Sequence, residues 1–314
     1  MQLYKSRGFS DFFQDTFAFI NQNGKHFFKH YFIINGVFLL ILIGIGYLFT
    51  KFYTNVVFGG FLGGNQSTTV LDNYINDHLG LFIVIMLIFI FVAIIAAMVS
   101  YVFPAIYLKL YVAHDGYPFN STQIINVYKQ NIGKLIIYLI CSMLLGIPLL
   151  IVFFVVAFIL AITIIGLLAI PLLFGAFMLF YIMTLMEYLE HKRGIWESFR
   201  YSWELLKSKF WAAAGCVGLF YLISYIIQNV INIIPYLFGM ASLFTTIETG
   251  GPGNDDLDTT MTIILLAVFF LSFLVSAFLN TIVQLNQGII FYSLKEDLEN
   301  INTKSIIDQI GSGE

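Results

Sequence analysis

The sequence predicts an all-α, polytopic membrane protein. Six transmembrane helices are expected as three hairpins, each preceded by a cytoplasmic amphipathic helix lying in the interface. Three observations carry this expectation. First, 59% of the 314 residues are apolar and only 11% are charged, whereas soluble domains run near ~25% charged. A soluble fold of this size leaves roughly a quarter of its unfolded-state surface exposed, too much to conceal so many apolar side chains. Second, Asp, Glu, Lys and Arg are missing in blocks: 30–50, 78–108, 135–186, 210–247 and 259–294. A charge at mid-membrane costs about 2.5–3.5 kcal/mol, which accounts for the gaps. Third, the cations fall almost entirely in alternate connecting segments. This pattern excludes an ordinary soluble globule, a disordered chain and a nucleic-acid binder.

The elements follow in order. Met1–Gly8 lacks an apolar run, so no cleaved signal peptide is expected, and the first span acts as a retained anchor. Phe9, Phe13, Phe17 and Ile20 oppose Asp11, Gln14, Asp15 and Gln22, which predicts an interfacial helix near 9–23. Spans follow near 31–50 and 80–103. A second interfacial helix near 121–132 sets Ile125, Tyr128 and Ile132 against Gln123, Asn126 and Lys129.

The 52 charge-free positions of 135–186 would make one helix about 78 Å long at about 1.5 Å per residue. A bilayer core is about 30 Å thick, so the block must cross twice. Gly166 and Pro171 are the natural breakers, giving spans near 135–160 and 167–188. The apolar turn between them (Ile164, Ile165, Leu167, Leu168) is expected within the interface.

A third interfacial helix covers 195–209. Trp196, Phe199, Trp203, Leu206 and Phe210 form one stripe, opposite Glu197, Arg200, Glu204 and Lys207. Trp196, Phe199, Arg200, Trp203, Lys207 and Lys209 are the candidate face for lipid or a partner. The last spans lie near 210–233 and 261–284, before a cytoplasmic tail at 295–314. The whole chain, 1–314, reads as one integral membrane domain.

Six spans put both termini on one side. On that side stand Lys5, Arg7, Lys25, Lys29, Lys109, Lys129, Lys134, Lys192, Arg193, Arg200, Lys207, Lys209, Lys295 and Lys304; only Lys51 is opposite. By the positive-inside rule the termini are cytoplasmic, and the expected location is a bacterial inner membrane. The net charge of −3 divides into +2 inside (14 − 12) and −5 outside (1 − 6). Cys141 and Cys216 both fall inside spans, so they are expected as small buried packing residues and not as a disulfide.

The three units look like copies. The first junction reads Gln22-Asn23-Gly24-Lys25, and the second Gln130-Asn131-Ile132-Gly133-Lys134. Lys134 and Lys209 are each followed seven positions later by a cysteine, Cys141 and Cys216. A repeated interfacial-helix-plus-hairpin unit is therefore expected.

Residues 191–211, HKRGIWESFRYSWELLKSKFW, carry a family resemblance through Gly194, Ser198, Phe199, Ser202, Trp203, Lys207 and Phe210. They resemble a recurrent motif of bacterial six-span proteins similar to the membrane domain found beside glycerophosphoryl diester phosphodiesterases. The ending at 287–296, QGIIFYSLKE, resembles membrane proteins of the Bacteroidota, and the Ile, Phe, Asn and Lys bias with only three Arg suits such a genome. The resemblance implies fold and location. It transfers no catalytic residue, since the phosphodiesterase chemistry sits in a separate soluble domain.

Candidate chemistry is sparse. No metalloprotease, P-loop or nucleophile-elbow pattern is present, and neither catalytic residues nor a cofactor or metal is expected. His26 and His30 share a helix face, but flanked by Lys25 and Lys29 they read as a basic cluster facing anionic lipid. Glu187, Glu190 and His191 read as a solvated helix end partly paired with Lys192 and Arg193. The loop Gly250–Asp258 matches a calcium nonapeptide pattern once, and one copy cannot build a site formed between stacked copies.

The last span is more informative. Ser272, Ser276, Asn280 and Gln284 recur every four residues, followed by Gln287; the fifth span carries Gln228, Asn229 and Asn232. This polar face either lines a cavity or headgroup groove or supplies hydrogen bonds between helices. Ala214 and Gly218 form a small-residue pair suited to close packing.

Three functions compete. The first is a non-enzymatic inner-membrane protein, either an accessory subunit of a membrane complex or a lipid-interacting scaffold; its partners would be membrane lipids and protein subunits, not nucleic acid. The second is an uncoupled transporter or channel for a lipid or small neutral solute; no span centre carries the ionisable group a coupled carrier needs. The third, an intramembrane enzyme, would have to rely on Glu187, Glu190 and His191.

Overall fold

The computed structural model describes residues 1–56, 67–249 and 254–302. Among them the chain forms helices and no strand: α1 (Phe9–Val56), α2 (Ser67–Ala113), α3 (Ser121–Ala161), α4 (Ile164–Leu189), α5 (Ile195–Ser208), α6 (Phe210–Thr249) and α7 (Asn254–Glu299). Among the described residues six segments are long and apolar enough to cross a membrane: Phe9–Leu48, Ile83–Ala113, Ser121–Ala161, Ala169–Leu189, Phe210–Ile234 and Leu266–Glu299. The chain is therefore an all-helical protein of multi-pass membrane type.

The helices are longer than the spans read from charge. α1 has 48 residues, about 72 Å at about 1.5 Å per residue, well over a bilayer core. Segment 9–23 and span 31–50 are one continuous helix, as are 121–132 and 135–160 in α3. The physical reason is that the weakest helix formers in their junctions are Asn and Gly (Asn23, Gly24, Asn131 and Gly133), which weaken a helix without ending it. A break does occur before α6, where Lys209 leaves helical geometry (φ −139°, ψ 48°) and separates the 14-residue α5.

The turn inside the long apolar block falls at Ile162–Thr163. Thr163 is extended, and its Oγ1 accepts from the Gly166 amide at 3.0 Å, capping α4. A Cβ on Gly166 would lie 2.0 Å from Leu160 O, so glycine is required for this tight reversal. Pro171 does not break the chain; it sits inside α4.

Two compact units divide the described chain. One comprises Met1–Ile34, Ser100–Ser224 and the chain from Asn280 onward; the other comprises Asn35–Val99 and Tyr225–Leu279. In the first unit, rings from α1 and α2 interlock in reversed order: Phe19 on Tyr111 (5.1 Å), Phe27 on Tyr107 (4.7 Å) and Tyr31 on Phe103 (5.4 Å). Edge-to-face pairs of this kind add about 0.5–1.5 kcal/mol each to their area burial. α3 meets α4 the same way, with Tyr138 donating to Tyr181 O (2.9 Å) and Phe153 against Phe177 (5.6 Å).

α4 and α6 cross at glycine. A Cβ on Gly175 would meet Gly218 N at 2.5 Å and Ala214 O at 2.6 Å, and one on Gly218 would meet Pro171 O at 2.5 Å. Small residues admit this backbone approach, where dispersion replaces the hydrophobic drive that lipid removes. The N-terminus is pinned as well. Arg7, 2% exposed, donates to the carbonyls of Gln2 (2.7 Å), Leu3 (2.6 Å) and Lys5 (3.0 Å) and pairs with Asp15 (2.7 Å).

In the second unit Gly46 lies against the Phe269 ring, which stacks on Phe273 at 6.3 Å. Many of its described apolar side chains, Val37, Leu40, Leu87 and Phe91 among them, are exposed, as lipid-facing residues are.

Candidate functional site

The densest chemistry gathers at the C-terminal end of α4. Glu187 and Glu190 close that helix, and His191 (φ +62°) turns the chain toward α5. Lys295 of α7, fully buried, donates to Glu187 Oε2 and Glu190 Oε2, both at 2.6 Å. Arg193 pairs with Glu187 and, at 3.4 Å, with Glu299. Its guanidinium lies 3.7 Å from the Tyr201 ring centre, and the Tyr201 hydroxyl donates to Glu299 at 2.6 Å. Charges taken out of water are tolerable only when paired and hydrogen-bonded, and this network pairs each one.

The same helix end is covered by two lysines from other elements. Lys109 of α2 donates to Leu189 O, and Lys134 of α3 donates to Tyr188 O at 3.1 Å while lying 4.6 Å from the Tyr188 ring centre. Terminal helix carbonyls have no partner within the helix and attract cations.

Local electrostatics follow. Burial lowers the His191 pKa, and Lys134 and Lys109 lower it further. Burial opposes the Arg193 charge, but Glu187 and its other neighbours outweigh it, so its pKa rises. Burial and then the Glu299 hydrogen bond push the Tyr201 hydroxyl up.

This arrangement corrects the reading of Glu187 as solvated. Glu187 is 0% exposed, because Lys295 brings it a compensating charge from far along the chain. Lys295, Tyr201 and Glu299 escaped sequence reasoning. One signal was available: the spacing of Asn280, Gln284 and Gln287, continued by four and four, reaches Phe291 and Lys295 on the same helical face.

The polar stripe divides between the two units. In the second, Ser272 Oγ donates to Asn232 Oδ1 (3.0 Å) and Gln228 Nε2 donates to Ser272 O (3.3 Å), joining α6 to α7. Asn229 bonds its own helix at Tyr225 O (2.8 Å) and is exposed. Ser276 is half-buried in the same unit. In the first unit Asn280 is exposed, Gln284 half-buried and Gln287 buried.

The amide tying most elements together was not on the expected stripe. Asn286 is fully buried. Its Nδ2 donates to Thr16 Oγ1 (2.9 Å) and Phe12 O (3.2 Å) on α1 and lies 3.6 Å from Cys216 Sγ on α6. Cys216 is buried and Cys141 half-buried; both are free thiols.

α5 keeps part of its expected outer face and buries the rest. Phe199 and Leu206 are buried with Ser198, Tyr201, Ser202 and Leu205, while Trp196, Arg200, Trp203 and Lys207 are exposed. Phe199 packs on Phe180 (5.7 Å) and Tyr181 (6.2 Å) of α4. Small Ser198 and Ser202 allow the close approach, and their hydroxyls bond back to Gly194 O (2.9 Å) and Ser198 O (2.8 Å). The predicted stripe therefore splits, with its tryptophans outside the buried face. Lys209 joins the protein instead, pairing with Asp297 (2.7 Å) and donating to Ser6 Oγ (3.1 Å).

His30 does not face lipid. It is 6% exposed, bonded to Ser121 Oγ (2.6 Å) and His26 Nε2 (3.1 Å), while His26 meets the Tyr107 hydroxyl (2.7 Å) and Phe119 O (2.9 Å). Lys25 and Lys29 remain exposed. Among the described residues no group of three or more His, Cys, Asp or Glu could hold a metal ion. Of the acidic loop, Gly250–Gly253 lies outside the described residues, as does the tail beyond Asn302. In comparisons with known proteins, the chain matches no family model, no curated protein and no solved structure.

Proposed function

We propose that this chain is a non-enzymatic scaffold of a bacterial inner membrane that works through lipid contact. Its six spans pair as three hairpins, and both termini are cytoplasmic. The observation that carries the reading is the placement of tryptophan. All three of the chain's tryptophans, Trp196, Trp203 and Trp211, are exposed and fall within α5 and the first turn of α6. Tryptophan concentrates where one end of the ring is apolar and the other wet, at the membrane–water boundary. Exposed Arg200 and Lys207 accompany them, and cations near the cytoplasmic surface are drawn to anionic lipid. The likeness of residues 191–211 to the six-span membrane domain supports the same placement. The Ser272–Asn232 and Gln228–Ser272 bonds use three of the stripe's polar groups, Gln228, Asn232 and Ser272, as ties between α6 and α7, which supports a scaffold over a solute path.

Intrinsic fluorescence tests this directly, because every tryptophan reports on one region. In reconstituted vesicles, lipids brominated near the headgroup should quench the emission more than lipids brominated deep in the chains. Quenching by aqueous acrylamide alone would refute the interfacial placement. A stoichiometric protein partner retained in mild detergent would assign the scaffold to a complex.

A further inference from the structure

Around the end of α4 the charges do not balance. Five cations gather there: Lys109, Lys134, Lys192, Arg193 and Lys295. They meet three carboxylates, Glu187, Glu190 and Glu299. The next acid along α7, Glu296, is turned to the Asn302 amide (2.9 Å). Among the described residues, Lys192, Arg193 and Lys295 have salt bridges and Lys109 and Lys134 have none. Each of these two ammonium groups bonds one helix carbonyl, which leaves further N–H donors on each. Exposed His191, two residues beyond Leu189 at the same helix end, adds another donor beside the carbonyls that the two lysines bind.

The surface beside this cluster is apolar. On α3, one turn and more beyond Lys134, Ile137, Ile140, Met143, Leu144 and Ile147 are all exposed. A surplus of donors at one end and a long apolar strip at the other match an amphiphile. A free anion would use the first and leave the second bare. Basic pockets between spans on the cytoplasmic side are where acidic headgroups bind.

We propose that Lys109, Lys134 and His191 bind the phosphate of an anionic phospholipid whose acyl chains lie along the exposed face of α3. The proposal rests on the membrane placement above, but involves residues other than the α5 tryptophans. The test uses the full chain purified in mild detergent, with lipid binding followed by native mass spectrometry and thermal shift. Phosphatidylglycerol should bind and stabilise, phosphatidylcholine much less, and inorganic phosphate at equal concentration not at all. Removing one lysine, as Lys109→Gln or Lys134→Gln, should weaken phosphatidylglycerol about fivefold, and the pair about twenty-five-fold. Lys5→Gln, at an exposed lysine paired with Asp15 (3.9 Å), should leave that affinity unchanged.

His191→Gln, which disturbs no helix carbonyl, keeps the test valid if the lysine variants fold poorly; it should also weaken binding. Equal binding of both lipids, full affinity in the lysine and histidine variants, or saturation by inorganic phosphate would each overturn the site. Failure of the tryptophan quenching with intact lysine dependence would instead overturn the α5 reading.

Discussion

Replacing Lys295 by methionine tests the charged network at the end of α4. Lys295 is fully buried, and its ammonium lies 2.6 Å from carboxylates of both Glu187 and Glu190. Methionine keeps the approximate length and removes the charge. Glu187, itself 0% exposed, would keep only Arg193, and Glu190 only the distant Lys192 at 3.7 Å. Breaking a buried pair by deleting one partner costs about 3–5 kcal/mol, because the other charge is left without compensation in a low dielectric. By comparison, Lys192, whose side chain is 57% exposed, should cost no more than about 1 kcal/mol when neutralised. The assay is equilibrium unfolding in mixed micelles at graded denaturing detergent, wild type against Lys295→Met, Lys192→Met and Lys295→Met with Glu187→Gln. The single Lys295 variant should lose about 3–5 kcal/mol, and the double should recover part of it. If Lys295→Met stays within about 1 kcal/mol of wild type, the network contributes no more than a surface pair, and the reasoning fails.

Other expectations follow from close packing and titration. Gly175→Ala should destabilise by about 1–3 kcal/mol, because its new Cβ would lie 2.5 Å from Gly218 N. Gly133→Ala, with nothing within 4 Å, should stabilise by up to about 1 kcal/mol; equal Tm values in detergent would refute the crossing. Asn286→Leu should cost about 1–3 kcal/mol through lost hydrogen bonds to Thr16 and Phe12, read as a lower unfolding midpoint. His191 has a lowered pKa in the folded state, so the unfolded chain takes the proton first. Stability should fall as pH drops below about 6.5, and a pH series on His191→Asn should show a shallower decline. Asn280→Leu with Gln284→Leu should impair assembly if the stripe holds helices together; normal assembly on size-exclusion chromatography, with loss of a partner or transport readout, would favour a lined path.

The six spans were legible because hydrocarbon forbids unpaired charge along its whole thickness. That rule leaves a mark at every position of a span, as the 135–186 block shows. Helix ends were less legible. Gly24 and Gly133 weaken a helix locally, yet flanking turns carry it through, so α1 and α3 run on where sequence suggested a junction. On α5 the stripe read from sequence divides: Trp196, Arg200, Trp203 and Lys207 are exposed, while Phe199 and Leu206 are buried. Contact with α4 favours small Ser198 and Ser202, while the larger rings suit a boundary with water on one side. The ion network was hidden for a different reason. Glu187 and Lys295 are 108 positions apart, and no local pattern reports a pairing at that separation. Asn286 escaped similarly, since its partners Thr16 and Cys216 lie on other helices.

Sidedness underlies the whole account, because the lipid site and the α5 surface both need the α4 end to face the cytoplasm. Cys141 and Cys216 are free, so replacing both by serine gives a background for single-cysteine labelling with a membrane-impermeant maleimide. Cysteines placed at Ser6, Asp115 and Lys192 should react only after cells are permeabilised, and cysteines at Asp72 and Asp256 should react in intact cells. Labelling of position 6, 115 or 192 in intact cells, or protection of position 72 or 256 there, would contradict the account.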